Sequence, residues 1–162
     1  MSLRMWHPEP AVALAVDITV LAVGGTVVGY LASRIPRSRL RGDSPLFEIR
    51  SFEHRGRVYE RLAIRRWKDR LPEAGGLFRG GMSKRRLPGR GPEALSTFRA
   101  ETVRAELVHW ILVLGSPVFA LWNPPYLTLA MIGYSLVANV PCLLVQRFNR
   151  ARIDAILRRV CT

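Results

Sequence analysis

The sequence is poor in acidic residues, in lysine and in cysteine. It has 12 Asp+Glu against 25 Lys+Arg, so the formal net charge is +13 over 162 residues, and all but two of the basic residues are arginine. The two cysteines, Cys142 and Cys161, form no CxxC pair and have no histidine at a metal-ligand spacing. The pattern therefore predicts neither a disulfide framework nor a metal site.

Long apolar runs separate the charged parts of the chain. Residues 11–32 are apolar except for Asp17 and, as a helix, would extend ~33 Å, which is enough to cross a bilayer. We expect Asp17 either to pair with a polar group on another helix or to face the membrane interface. Residues 105–122 and 126–145 form two further apolar runs. The predicted fold class is an all-α integral membrane protein with three transmembrane helices.

The basic residues lie mainly between and after these apolar runs, in residues 33–104 and 146–162. The positive-inside rule therefore predicts a multi-pass protein of the cell membrane. Residues 1–10 would be extracytoplasmic, residues 33–104 a basic cytoplasmic insert with an interfacial helix, and residues 146–162 a basic cytoplasmic tail. Because the positive charge accompanies runs of membrane length, we expect anionic lipid headgroups as partners and no nucleic acid.

Two local structures fit the sequence in the first part of the insert. Alternation over residues 46–53, followed by a turn and residues 58–64, favours a β-hairpin. A helix over residues 59–67 fits almost as well, because its apolar residues share one face. In either structure Trp67 and Lys68 would lie at the membrane interface, where they are candidates for substrate binding.

A Gly- and Pro-rich loop follows over residues 71–91 and carries Lys84 near its end. Loops of this composition can present backbone N–H groups and cations to a phosphate, although no P-loop pattern is present. Lys84 is therefore a further candidate for substrate binding. A basic loop that lies on anionic lipid explains the same composition.

The strongest functional signal lies at residues 101–110, where a charged helix runs into the second apolar run. Ionisable groups at the edge of a span are energetically costly, so they indicate a functional site. Glu106 and His109 are i, i+3 on this helix, and Glu101 lies two turns before His109. In an antiparallel hairpin of the second and third spans, Asn139 would lie about one turn deeper than His109.

These residues suit proton transfer at the cytoplasmic edge of the membrane. A histidine that a carboxylate orients can take a proton from a hydroxyl, and neighbouring arginines can hold a phosphate or a developing oxyanion. Interfacial ion pairs and a histidine that holds the hairpin together would explain the same residues. The catalytic candidates are His109, Glu106, Glu101 and Asn139. The substrate-binding candidates beside them are Arg104, Gln146, Arg147, Asn149 and Arg150.

Several short motifs are spread along nearly the whole chain. They are Arg34-Ile35-Pro36, Ser51-Phe52-Glu53 with Gly56 following, Arg66-Trp67-Lys68, Glu101-Thr102 with Arg104-Ala105-Glu106-Leu107, His109-Trp110, Ala138-Asn139-Val140-Pro141 and Val145-Gln146-Arg147-Phe148-Asn149-Arg150. In this order they resemble the glycosyl-4,4'-diaponeurosporenoate acyltransferases, small membrane enzymes of staphyloxanthin-type carotenoid biosynthesis. The chain departs from the family pattern at Phe148, where the family has Tyr, and in the glycine-rich loop over residues 75–81.

The resemblance implies esterification of a sugar hydroxyl of a glycosylated carotenoid with a fatty acyl group, at the cytoplasmic membrane. We therefore predict a membrane O-acyltransferase that acts on a glycosylated lipid, with an acyl thioester such as acyl-coenzyme A as co-substrate and no bound cofactor. Three spans rarely enclose a lipid-sized site, which favours a homo-oligomer. Two alternatives stay open: a non-enzymatic adaptor that binds anionic lipid, and a membrane enzyme that acts on lipid phosphates.

Overall fold

A computed structural model describes residues 5–40, 44–71 and 91–160 of the chain. These residues form an all-α structure, as predicted. Its α-helices are α1 (Pro10–Ser33), α2 (Arg57–Glu60), α3 (Ile64–Trp67), α4 (Pro92–Gly115) and α5 (Pro125–Val160). Short 3-10 helices lie between them at Arg37–Arg39, Ser51–Gly56, Lys68–Arg70 and Ser116–Leu121.

Helices α1, α4 and α5 are long and apolar enough to cross a membrane, and the span that contains α4 continues through the 3-10 helix Ser116–Leu121. Each of the three helices begins at a proline, whose fixed φ and missing N–H suit the first helical position. Large apolar side chains, including Leu14, Leu129 and Val137, are exposed on their surfaces. Such a surface suits contact with lipid hydrocarbon.

Helix α5 is continuous over 36 residues, so it extends well beyond the end of the predicted third span at residue 145. The described part of the predicted basic tail is therefore helical. Helix α5 runs antiparallel to α4, and the two are joined near Asn123. At the other end of this hairpin, which we call the charged end, Arg99 Nε donates to Asp154 Oδ1 at 2.6 Å.

Helix α1 is attached to the α4–α5 hairpin at both of its ends. Near its start, Asp17 accepts hydrogen bonds from Trp122 Nε1 and Asn123 Nδ2, both at 2.8 Å. We call these three residues the Asp17 site; of the two expected placements of Asp17, the structure has the paired one. Beyond its last turn, Arg104 donates to the carbonyl oxygen of Ile35 at 3.0 Å.

The predicted β-hairpin over residues 46–64 is wrong, because no strand occurs among the described residues. The carbonyl oxygens of Leu46 and Glu48, which a strand would use in a ladder, instead accept hydrogen bonds from Arg147 on α5. The alternative helix over residues 59–67 forms only as the separate helices α2 and α3. Ala63, between them, has a left-handed φ of 49° that interrupts the helix.

Residues 44–71 pack on α5 through a small apolar core. Tyr59, Ile64, Val145 and Phe148 are its buried members, and Trp67 packs against them. Gly56 precedes α2 with φ of 91°, which a glycine adopts without strain, and a Cβ at this position would lie 3.2 Å from Phe148 Cδ2. This packing brings the 3-10 helix Ser51–Gly56 over the charged end of the hairpin.

Candidate functional site

Glu106 is at the centre of a buried cluster of four charges, which it forms with Glu53, Arg147 and Arg150. Its carboxylate accepts a hydrogen bond from Arg147 Nη1 at 2.9 Å and a second from Arg150 Nη2. Both Glu106 and Arg150 are 0% exposed. We call these four residues the four-charge cluster. Its formal charges balance, which is what a buried set of ionised groups requires.

Arg147 connects the cluster to the segment that covers it. Its guanidinium donates to Glu53 Oε1, with an Nε–Oε1 distance of 3.0 Å, and to the Tyr59 hydroxyl at 3.3 Å. It also donates to the carbonyl oxygens of Leu46 and Glu48 at 3.3 and 3.0 Å. A planar guanidinium with five N–H donors is suited to joining several acceptors in this way.

Within the described residues, three buried polar atoms of this cluster and one of Gln146 have no hydrogen-bond partner. They are the acceptors Glu53 Oε2 and Gln146 Oε1 and the donors Nε and Nη1 of Arg150. Gln146 lies one turn before Arg150 on α5, so the two side chains share a helix face. An unsatisfied buried polar group is costly, ~1–3 kcal/mol and more for a charged group, so these atoms indicate a site that a further polar group would complete.

His109 pairs with Asn139 across the α4–α5 hairpin. The distance from His109 Nδ1 to Asn139 Oδ1 is 2.8 Å, and Asn139 Nδ2 donates to the carbonyl oxygen of Ser135 at 2.8 Å. Because the amide oxygen of Asn139 can only accept, Nδ1 carries the proton of the neutral ring, and Nε2 is then its basic nitrogen. Both residues are half-buried.

Glu101 and Arg104 form a separate ion pair on α4. Arg104 Nε donates to Glu101 Oε2 at 3.1 Å, and Arg37 Nε donates to Glu101 Oε1 at 3.3 Å. Glu101 lies eight residues, ~12 Å along the helix, from His109. This pair therefore holds the end of α1 and its following turn against α4, and it is not part of the His109–Asn139 pair.

The remaining predicted site residues are spread over the charged end. Trp67 donates to the carbonyl oxygen of Leu62 at 2.9 Å, and Lys68 pairs with Asp69 at 2.6 Å. Asn149 is half-buried on α5. Lys84 lies outside the described residues, and so does most of the predicted phosphate-binding loop. The structure thus brings together Glu106, Arg147 and Arg150, with Gln146 on the same face of α5 as Arg150, and separately His109 and Asn139.

Sequence reasoning missed Glu53 and Tyr59 as members of this site. Glu53 is almost fully buried and binds Arg147 across 94 positions of sequence. The only signal for it was its place in the Ser51-Phe52-Glu53 motif, because a single carboxylate in a charged segment has no periodicity that marks it as buried. Burial raises the pKa of the Tyr59 hydroxyl, and its hydrogen bond from Arg147 opposes that rise in part.

Comparisons with known proteins agree on one family. The family model described as glycosyl-4,4'-diaponeurosporenoate acyltransferase matches residues 43–159. A protein of that name from Staphylococcus aureus (strain bovine RF122 / ET3-1) is 32% identical over 132 residues, which cover 81% of this chain and 79% of the relative. The proteins of that name from strains MRSA252 and USA300 are 32% and 31% identical over the same shares. No solved structure matches the chain.

Proposed function

Because the chain belongs to the glycosyl-4,4'-diaponeurosporenoate acyltransferase family, we propose that it esterifies a sugar hydroxyl of a glycosylated lipid, such as a glycosyl carotenoid, with a fatty acyl group. The family supplies the reaction class. The observation that carries the chemistry is the His109–Asn139 hydrogen bond, which supports His109 as the general base.

In the proposed reaction, His109 Nε2 takes the proton of the sugar hydroxyl while that oxygen attacks the carbonyl carbon of a fatty acyl thioester. The tetrahedral intermediate collapses as the carbon–sulfur bond breaks, and the thiolate takes the proton from Nε2. Asn139 positions the ring through Nδ1–H in both steps, because its oxygen accepts from the neutral and from the protonated imidazole alike.

Glu106 has a different role here from the one that its spacing suggested. Its recorded partners are Arg147, Arg150 and the Trp110 indole, whose Nε1 lies 3.4 Å from Glu106 Oε1. We therefore assign to Glu106 the assembly of the four-charge cluster beside His109, and we assign the orientation of the imidazole to Asn139.

The charged end is proposed to lie at the cytoplasmic face of the cell membrane, with the N-terminus outside. The concentration of arginine at this end of the hairpin supports that orientation. Exposed arginines such as Arg37, with a side chain that is 52% exposed, would attract the phosphates of an acyl-coenzyme A donor and of anionic lipids. Apolar faces of α4 and α5 lie next to the half-buried His109, which suits an acceptor with a long lipid part.

The test is acyl transfer by purified protein in lipid nanodiscs, with an acyl thioester and a glycosylated carotenoid as substrates. His109→Ala is expected to lower kcat by ~10²–10⁴, the range for loss of a general base. Asn139→Ala should lower kcat by a smaller factor and should shift the dependence of kcat on pH. Exposed His7 provides the matched control, since His7→Ala should leave transfer unchanged.

Unchanged turnover in His109→Ala would overturn the proposed mechanism. Binding of lipid without any turnover of the wild type would favour a lipid-binding adaptor. Release of phosphate from a lipid phosphate, with no ester formed, would favour the enzyme that acts on lipid phosphates. Mass spectrometry of the lipid product separates these outcomes.

A further inference from the structure

We infer that Glu53, Gln146 and Arg150 form a binding site for the hydroxyl groups of a neutral sugar. In the proposed function this sugar is the head group of the acceptor, so the inference rests on that function for its biological role. Within the described part of the chain, the three side chains present two acceptor atoms and two donor atoms that have no hydrogen-bond partner. We call them the hydroxyl site.

The atoms of the hydroxyl site are of mixed type, which selects the chemistry of the ligand. Gln146 Oε1 and Glu53 Oε2 need a donor, whereas Nε and Nη1 of Arg150 need an acceptor. A sugar hydroxyl both donates and accepts, and neighbouring hydroxyls on one ring can serve both kinds of atom. A carbonyl, an ester or a phosphate dianion offers acceptors only and would leave Gln146 and Glu53 unsatisfied.

The charge of the site also favours a neutral ligand. Glu53 and Glu106 carry two formal negative charges, and Arg147 and Arg150 carry two positive ones in direct contact with them. A phosphate placed here would add buried negative charge that nothing in the cluster offsets. The exposed arginines at the rim, such as Arg37, are better placed for the phosphates of the donor.

The position of the hydroxyl site fits a sugar that reaches His109. Glu106, which binds Arg150, precedes His109 by one turn on α4, ~4.5 Å along the helix axis. On α5, Asn139 and Gln146 are i, i+7 and therefore lie on the same face. A hexose ring is comparable in length to one helical turn, ~5.4 Å. Along α5, Gln146 lies seven residues, ~10.5 Å, beyond Asn139, so a ring held by Gln146 and Arg150 lies between them and His109, and the hydroxyl on its far side is the one that reaches His109.

Buried water is the alternative occupant, because ordered water also donates and accepts. Water would satisfy the same atoms without discriminating between ligands. The two occupants therefore differ in one measurable respect: only a sugar site shows saturable binding that depends on the sugar and on Gln146.

The experiment measures binding of hexyl glucoside, hexyl phosphate and hexanol to the full chain in nanodiscs by isothermal titration calorimetry. We expect saturable binding of hexyl glucoside to the wild type and at least tenfold weaker binding to Gln146→Leu. Glu53→Gln should weaken the binding of hexyl glucoside. It should strengthen the binding of hexyl phosphate several-fold, because it removes a negative charge. Glu60 is exposed and pairs with Arg65, so Glu60→Gln is the matched control and should bind like the wild type.

His109→Ala separates this inference from the proposed function. Transfer should be lost, while saturable glucoside binding that depends on Gln146 should persist. If the wild type forms no sugar ester but binds the glucoside through Gln146, the proposed function fails and the hydroxyl site stands.

Three results would overturn the hydroxyl site. The first is no saturable glucoside binding, which means that water alone fills it. The second is equal binding of hexanol and hexyl glucoside, or of wild type and Gln146→Leu, which means that only the alkyl chain is bound. The third is hexyl phosphate binding more tightly than the glucoside to the wild type. Gln146→Ala, which only truncates the side chain, is the second variant if Gln146→Leu does not fold.

Discussion

Asp17 and Glu106 are both buried carboxylates, but they lie at opposite ends of the α4–α5 hairpin and have different partners. Asp17 is 6% exposed and accepts from two neutral donors, Trp122 Nε1 and Asn123 Nδ2. Glu106 is fully buried and accepts from two guanidinium groups. One carboxylate is thus held by neutral N–H groups at the turn, and the other by cations at the charged end.

The comparison separates a structural contact from a site with capacity to bind. The Asp17 site joins α1 to the turn between α4 and α5, and within the described residues its one unsatisfied buried atom is the acceptor Asn123 Oδ1. The surroundings of Glu106 hold unsatisfied donors as well as acceptors, and they lie one turn from His109. Unsatisfied donors together with unsatisfied acceptors therefore distinguish the surroundings of Glu106 from the Asp17 site, which has an acceptor alone.

The largest stability effect should come from removing the carboxylate that has cationic partners. Glu106→Ala leaves Arg150 fully buried without its recorded counter-ion, and loss of one partner of a buried pair costs ~3–5 kcal/mol. The free energy of unfolding, measured by denaturant titration in mixed micelles, should fall by that amount. If Glu106→Ala lowers the free energy of unfolding by less than Trp122→Phe does, the carboxylate with cationic partners is not the one that contributes more to stability.

At the turn, Trp122→Phe removes one of the two neutral donors to Asp17 while keeping an aromatic ring. The expected loss in free energy of unfolding is ~1.5–3 kcal/mol, the usual contribution of one hydrogen bond to a charged group, because Asp17 Oδ1 keeps only the bond from Asn123. Acyl transfer at 25 °C should be unchanged, because the Asp17 site is at the far end from His109. A fall in kcat of Trp122→Phe with an unchanged free energy of unfolding would contradict a purely structural role for the Asp17 site.

The segment that covers the charged end can be loosened without altering a charge. Gly56→Ala should lower the free energy of unfolding by ~1–2 kcal/mol, because the left-handed φ of 91° strains a residue with a Cβ. The new Cβ would also lie 3.2 Å from Phe148. Gly133→Ala is the control: nothing lies within 4 Å of its added Cβ, and in α5 this change should be neutral or slightly stabilising.

The smallest effect concerns the protonation of Tyr59. Its pKa lies above the usual 10.0 because burial disfavours the phenolate. Folding therefore favours the protonated hydroxyl; this contribution to stability is fully present below pH 10 and is lost as the pH rises through the folded-state pKa. The phenolate absorbance near 295 nm should show a late-titrating tyrosine that Tyr59→Phe removes. If the absorbance of the wild type and of Tyr59→Phe changes with pH in the same way, the Tyr59 side chain is not buried.

The fold class could be predicted because apolar runs of membrane length determine it almost alone. The pairing of α4 with α5 was predicted less well. Aligning the charged ends of two spans of unequal length placed Asn139 about one turn deeper than His109, whereas the structure joins the two side chains by a hydrogen bond. Counting outward from the turn at residues 123–124 places His109 level with residues 137–139, because the two helices diverge from the turn at the same rise per residue.

The candidate site was predicted in part. Spacing identified Glu106, His109 and Asn139, since helical periodicity places them on facing surfaces. Spacing could not show which side chain each of them binds. Glu106 accepts hydrogen bonds from the long side chains of Arg147 and Arg150, and the partner of His109 is Asn139. The hairpin over residues 46–64 failed for a tertiary reason: its carbonyls bind Arg147, a contact that no local pattern contains.

The unbroken length of α5 has a consequence for how the protein responds to its membrane. Its 36 residues extend ~54 Å, against a hydrocarbon core of ~30 Å. A bilayer of different thickness changes the tilt of such a helix, and Pro141, which lies inside α5 between Asn139 and Arg150, is the position at which the helix can bend in response. Asn139 and Arg150 lie on this one helix, so the acyl-chain length of the surrounding lipids is expected to alter the geometry at His109 and the rate of transfer.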